Sequence, residues 1–205
     1  MLFERIRRTL ANPALYAAFA RLVGGPRSVE TLVREHIRPQ PGFKVLDIGC
    51  GPAEILAHLG EVDYTGFDLS AEYIEAGRAR YGSRARLFCQ RVTRDVLPHE
   101  PCFDLVMAIG VLHHLTDGEA RDLFELARGV LKPGGRLVTL DGCYVEGQSR
   151  IARFLLSRDR GEYVRTEEAY RQLAQGTFPD PRLRLRHDLL RIPFTHLVME
   201  CERRP

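Results

Sequence analysis

The residues Val45-Leu46-Asp47-Ile48-Gly49-Cys50-Gly51-Pro52-Ala53 join an apolar run to a glycine turn and then to a helical pattern. Missing side chains at Gly49 and Gly51 let a ligand approach the backbone, and a helix start offers unpaired amide donors. Read alone, the loop predicts a nucleotide-like ligand. A dinucleotide fits poorly. The third glycine of the G-x-G-x-x-G pattern would fall at Glu54, whose carboxylate repels a pyrophosphate. The G-K-[ST] ending of a phosphate-binding Walker loop is absent. Asp68 closes the next apolar run, Tyr64-Thr65-Gly66-Phe67-Asp68. A carboxylate there holds a ribose diol with both oxygens, or caps the helix that follows. His113 and His114 stand as a pair just past a later apolar run that ends at Ile109. An imidazole suits general-base work on a hydroxyl near pH 7, and paired histidines also pack or cap. No carboxylates cluster with them, so no metal site is expected.

Those residues need a scaffold that delivers strand ends to one rim. Apolar runs over 44–48, 62–67, 86–92, 103–109 and 136–141 alternate with helical patterns over 53–59, 71–80 and 117–130. Strands alternating with crossover helices specify a parallel sheet with both faces covered. The last two runs, 183–190 and 194–201, are joined only by Arg191-Ile192-Pro193. So short a link cannot be a crossover, and the pair is predicted to be an antiparallel hairpin. The expected fold is therefore α/β, with a Rossmann-like, seven-stranded, mostly parallel sheet and helices on both faces. Between 142 and 181 lies a long insertion with helical stretches around 149–156 and 166–173. Ahead of the first strand, Leu2, Phe3, Ile6, Leu10, Leu15, Phe19 and Leu22 recur at helical spacing, broken at Asn12-Pro13. Glu4 and the lack of a continuous apolar stretch argue against a signal peptide. Ser28 is predicted to cap a helix over 29–37. One domain is expected: a helical appendage (1–42), a ligand-binding core (43–141), a lid-like insertion (142–181) and the terminal hairpin (182–205).

Composition narrows the classes. The 205 residues carry a net charge of +3, too small to mark a nucleic-acid binder. Lys44 and Lys132 are the only lysines among thirty basic residues. Arginine's planar fork suits carboxylates and phosphates, although a GC-rich genome gives the same bias. No apolar run is long enough to span a membrane. Five cysteines, widely spaced and without a C-x-x-C pair, read as reduced thiols in a cytoplasm rather than a disulfide or zinc scaffold.

Four motifs together carry a family resemblance: VLDIGCGPA, the strand ending in Asp68, FDLVMAIGVLHHL and LKPGGRLVTLD. The chain resembles the class I S-adenosylmethionine-dependent methyltransferases from about Lys44 to Asp141. The resemblance implies S-adenosyl-L-methionine as cofactor. It places Asp47, Gly49, Cys50 and Gly51 around the methionine moiety, Asp68 and Leu69 at the ribose, and Ile109 beside the cofactor. Two positions depart from the family pattern. Ala53 replaces a third glycine. Arg91 stands where an acidic residue usually meets the adenine amino group, and an arginine has donors only. Arg91 can instead stack on the ring, Asp95 can substitute, and the Val92 amide serves adenine in either case. A segment similar to that around His113 supplies the general base of plant-type O-methyltransferases, so His113 is the favoured base and His114 the alternative. In the insertion, Tyr144, Arg150, Arg153, Arg158, Arg160, Tyr163 and Arg165 suit an acidic or phenolic small-molecule acceptor. They equally suit a solvated helix face, with Arg165 near Glu167 and Glu168. The expected activity is methyl transfer to oxygen of a small molecule, with no nucleic-acid partner. An RNA- or protein-modifying methyltransferase and a non-catalytic cofactor-binding protein are the alternatives.

Overall fold

The computed structural model describes residues 25–158 and 161–204, so the helices expected over 1–23 lie outside it. Alternating strands and helices fold as β1 (Lys44–Ile48), β2 (Asp63–Asp68), α2 (Ala71–Tyr81), β3 (Ala85–Cys89), β4 (Phe103–Ile109), α3 (Asp117–Val130) and β5 (Leu131–Tyr144), preceded by α1 (Gly25–Leu32). The insertion supplies α4 (Arg150–Leu156), β6 (Arg165–Thr166) and α5 (Glu167–Gln175), and the chain returns through β7 (Arg182–Arg186) and β8 (His196–Glu202). The strands line up as β3-β2-β1-β4-β5-β8-β7. Strands β1 to β5 pair in parallel, and β8 runs antiparallel to both β5 and β7. The expected seven-stranded sheet is therefore present. Beside it lies β6, whose two residues pair with Cys143 and Tyr144 and are too few to show a period.

Both faces of the sheet are covered. One apolar cluster gathers Leu46, Val106, Phe124, Leu137 and Tyr170; the other gathers Val45, Tyr64, Leu105, Met107 and Val198. Neighbours in sequence fall into opposite clusters, as the alternation of a pleated strand requires. That two-sided burial is why β1 and β4 read as continuous apolar runs. Among the described residues, no helix is long and apolar enough to cross a membrane.

Four local features differ from the sequence reading. Ser28 lies inside α1 rather than capping it, because the helix already starts at Gly25. Strand β3 ends at Cys89, short of the expected 92. The hairpin link runs from 187 to 195, since Leu189 tucks into the interior instead of extending β7. The glycine loop opens not into an α-helix over 53–59 but into a five-residue 3-10 helix, Glu54–His58. Ala53 precedes it with φ 57° and ψ 32°, a left-handed conformation that disfavours a Cβ. Ala53→Gly removes about 1–2 kcal/mol of that strain, but it adds about 0.5–1 kcal/mol of unfolded-chain entropy and loses about 0.8 kcal/mol from a methyl that is fully buried in the core. Urea melts should therefore show little net change in stability. A marked gain would mean that backbone strain at Ala53 outweighs the packing of its methyl.

Helix α1 continues through a π-helical turn, Val33–Ile37, that seats a buried histidine on the sheet. His36 Nδ1 meets Glu200 Oε1 of β8 at 2.9 Å, and Arg186 Nη1 of β7 lies 3.0 Å from its Nε2. Arg186 can only donate, so the ring proton belongs on Nδ1, facing Glu200. Arg136 of β5 donates to the carbonyls of His36 and Ile37 at 3.0 and 2.7 Å. The turn is thereby fastened to β5, β7 and β8.

Candidate functional site

In a sheet of this order the chain leaves β1 toward one side and β4 toward the other, and ligands bind in the crevice at that reversal. The glycine loop sits there. The amides of Gly49 and Cys50 both donate to the Phe67 carbonyl, at 2.8 and 3.0 Å. Gly49 has φ 72°, and a Cβ on it would stand 2.6 Å from Val111 Cγ2. Around Gly51, with φ 53°, a Cβ would meet nothing within 4 Å among the described residues. Cys50 is buried against Gly66 of β2, where an added Cβ would lie 2.8 Å from its Sγ. Burial, and then the nearby Asp47, push its thiol well above the usual range.

Asp68 ties this loop to the next helix. Its Oδ2 accepts from the Gly51 amide at 2.9 Å and its Oδ1 from the Ser70 amide at 2.8 Å. Ser70 is the N-cap of α2, its hydroxyl accepting from Tyr73 N. Asp68 therefore braces the cap rather than being it. Each carboxylate oxygen keeps a second lone pair. Leu69 follows with 70% of its surface exposed, and the half-exposed Phe88 stacks on Phe67 at 5.0 Å between ring centroids. These apolar surfaces lie uncovered next to Asp68 and its strand.

Asp47 is turned inward. It is 3% exposed and accepts from Tyr64 Oη at 2.5 Å. Burial pushes its carboxyl up to about 7; the Tyr64 hydrogen bond pulls it down, and the charge of Asp68 adds to the rise. Tyr64 is invisible to sequence reasoning as a partner, although it lies on the adjacent strand.

Arg91 is exposed and pairs with Glu119 at 3.4 Å. Glu119 belongs to the capping box at the start of α3, where it and the Thr116 side chain each bond the other's backbone amide. That pairing occupies the Arg91 guanidinium. Val92 packs against the core beside it. Asp95 is exposed on a short 3-10 turn, Arg94–Val96, and the Thr93 hydroxyl holds its carboxyl below the usual range. Ile109 ends β4, paired with Leu140 of β5.

His113 and His114 lie in the 3-10 turn after β4 and differ in environment. His114 is exposed; its ring lies 4.2 Å from that of His113. His113 is buried, and its Nδ1 meets Asp141 Oδ1 at 2.8 Å. The His113 backbone amide donates to the same oxygen at 3.1 Å. Asp141 sits near the end of β5 and is itself buried. Burial pushes its carboxyl up and His113 draws it back down. The other oxygen, Oδ2, is buried without a hydrogen-bond partner among the described residues. A strap from the insertion lies over the pair. Tyr163 N donates to the His113 carbonyl at 2.9 Å, and a Cβ on Gly161 would fall 2.0 Å from His113 Cδ2. Asp141, missed as a functional residue, had one sequence signal: β4 and β5 are neighbours in a parallel sheet and end at the same rim.

The insertion arginines do not converge. Arg153 covers the Tyr144 ring, Arg158 covers the Phe154 ring, and Arg150 is exposed on α4. Arg160 lies outside the described residues. Arg165 is buried and bonded to Asp117, not to Glu167 or Glu168, which Arg171 takes instead. A groove of about 410 Å³ opens between the β5–α4 loop and the β7–β8 loop, lined by Val145, Glu146, Gln148, Pro193, Phe194, Thr195 and neighbours, with no arginine among them. Among the described residues, no three metal-ligating side chains come together.

Residues 45–135 match the methyltransferase domain family. An uncharacterised methyltransferase of Synechocystis sp. is 32% identical over 133 residues, 63% of this chain and 63% of that protein. An O-methyltransferase of Pyrenophora dematioidea is 32% identical over 161 residues, 69% of this chain and 59% of its own length. A probable tRNA methyltransferase 9B of Bos taurus is 36% identical over 110 residues, 52% of this chain and 23% of that one. Among solved structures, a Haemonchus contortus phosphoethanolamine N-methyltransferase, in complex with phosphomonomethylethanolamine and S-adenosylhomocysteine, superposes with a TM-score of 0.73 at 16% identity. That match covers 100% of this chain and 61% of the other. The chain thus spans less than two thirds of these relatives' lengths, and the structural likeness speaks to the fold.

Proposed function

We propose that this chain, which belongs to the class I S-adenosylmethionine-dependent methyltransferases, transfers a methyl group from that cofactor to an oxygen of a small molecule. The observation that carries the oxygen reading is the buried His113–Asp141 pair just past the end of β4. The rim fits the cofactor. Gly51 leaves open space, Asp68 has lone pairs to spare, and Leu69 offers an uncovered apolar surface. Asp47, Gly49, Cys50 and Gly51 would surround the methionine part, Asp68 and Leu69 the ribose, and Arg91, Val92 and Ile109 the adenine and the approach to the methyl group. Arg91 can stack on adenine only by loosening its contact with Glu119.

When bound, S-adenosylmethionine supplies a sulfonium methyl open to in-line attack. Alignment and exclusion of water do most of the work in such a displacement. The strap at Gly161 and Tyr163 lies against the buried His113. Asp141 accepts the Nδ1 proton of His113 and so fixes the tautomer in which Nε2 accepts a proton from the attacking hydroxyl. The groove beyond β5 offers amide, hydroxyl and aromatic groups, the His187 imidazole and the Glu146 carboxylate. That lining supports a phenolic acceptor.

Asp68→Ala should weaken binding of S-adenosylhomocysteine by about 1–3 kcal/mol, the usual cost of unpaired polar partners. Calorimetry checks it, and equal binding by both proteins would remove Asp68 from the ribose. The activity itself is tested by incubating the protein with labelled cofactor and small-molecule extracts, then reading the products by mass. The tRNA methyltransferase relative supports a second reading, methylation of RNA. A salt-dependent gel shift with bulk RNA would favour it.

A further inference from the structure

The turn that carries His113 is a single 3-10 turn, Leu112–His114, closed by the Leu115 amide donating to the Leu112 carbonyl at 3.1 Å. A carbonyl oxygen has two lone pairs, so a further donor can bond the turn, and one side chain from the insertion does so. Arg165 donates through Nη1 to the Leu112 carbonyl at 2.9 Å and through Nη2 to the Leu115 carbonyl at 2.6 Å. Its Nε and Nη2 reach Asp117 Oδ1 at 2.9 and 2.8 Å, and Nη1 also meets the Tyr163 carbonyl at 2.9 Å. A guanidinium has five N–H donors in a fixed fork, and these contacts engage all of them. The side chain is 8% exposed and packs near the rings of Tyr163 and Tyr170. With Tyr163 N on the His113 carbonyl, the carbonyls of Leu112, His113 and Leu115 are all held from residues 163–165.

We propose that Arg165 is a positioning residue: by gripping the carbonyls on both sides of His113, its guanidinium sets the alignment of the His113–Asp141 pair. The role assigned to that pair rests on His113 as the base, but the alignment itself does not. A fully engaged guanidinium has no donor left for an acceptor anion, so Arg165 leaves the substrate-binding arginines expected of the insertion. A lysine is a poor replacement, because a point ammonium cannot span carbonyls and a carboxylate in one plane.

The test follows the His113 ring proton on Nδ1 by nitrogen-resolved NMR of the full chain saturated with S-adenosylhomocysteine. In wild type, Asp141 should protect this proton and give a downfield resonance, assigned by its disappearance in His113→Asn. In Arg165→Ala the resonance should be lost or shifted, while S-adenosylhomocysteine affinity stays close to wild type. Free guanidinium at millimolar concentration should partly restore it. Should Arg165→Ala fail to fold, Arg165→Lys gives the same readout. An unchanged resonance in whichever variant folds would overturn the proposal and leave Arg165 as a stabilising clamp alone. Because the readout requires no turnover, its failure is distinct from failure of the methyl-transfer reading.

Discussion

His113→Asn should lower kcat by about 10²–10⁴-fold, the usual contribution of a positioned general base, with S-adenosylhomocysteine affinity nearly unchanged. Asparagine is the informative replacement. Its amide N–H can still donate to Asp141 Oδ1, which now takes the His113 Nδ1 proton at 2.8 Å, but it has no basic nitrogen. His113→Ala removes the donor as well and leaves a buried carboxylate to the backbone amides of residues 112 and 113. That second variant should melt earlier, because an uncompensated buried charge is costly. The pair of variants separates chemistry from packing. Near-wild-type turnover in a well-folded His113→Asn would end the base assignment. His114→Asn should change little, since that ring is exposed.

Asp47→Asn should stabilise the protein at pH 8 and do little near pH 4. The unfolded carboxyl titrates near 3.8, while burial raises the folded one to about 7. Below both values each state holds the proton, and the group contributes nothing to the pH dependence. Between them the unfolded chain releases its proton and the folded one keeps it, so stability falls as pH rises. Above the folded value the loss is complete. At about 1.4 kcal/mol per unit, the expected gain from asparagine at pH 8 is about 2–4 kcal/mol. Asparagine still accepts from Tyr64 Oη through its carbonyl, so the 2.5 Å contact need not be lost. Urea melts at the two pH values decide the matter. A gain that is the same at both would mean that charge is not the cause. If the asparagine variant also binds cofactor more weakly, the carboxylate persists for function and at the expense of stability.

Much of the rim is legible in the sequence because its parts are local. The glycine loop, Asp68 and the histidine pair each sit at or just past the end of an apolar run, and the alternation of runs with helical spacing already orders those runs into one sheet. Contacts between distant segments leave no such trace. Asp141 lies 28 residues from His113, and nothing periodic links them. Arg165 shows the difficulty most clearly. Closeness in sequence places it beside Glu167 and Glu168. The structure starts α5 only at Glu167, after Thr166 caps it by accepting from Ala169 N. Arg165 is thereby left in β6, where it reaches Asp117 across 48 residues. The conformation of Ala53 is equally silent: a missing third glycine signals a departure from the pattern, not a left-handed backbone.

The order of the strands bears on how the chain is made. β8 follows every other described strand in sequence, yet it lies inside the sheet, between β5 and β7. While a ribosome is still adding residues, the flank of β5 from Arg136 to Gly142 has no partner until 196–202 emerge. Leu137, Val138 and Leu140 make that open flank apolar, and an unpaired apolar strand is a template for a strand from another chain. A message cut short before His196 would yield a product whose glycine loop and Asp68 are all present but whose sheet ends in an open seam. Such a truncated product should cluster with its own kind rather than accumulate as a smaller, working protein.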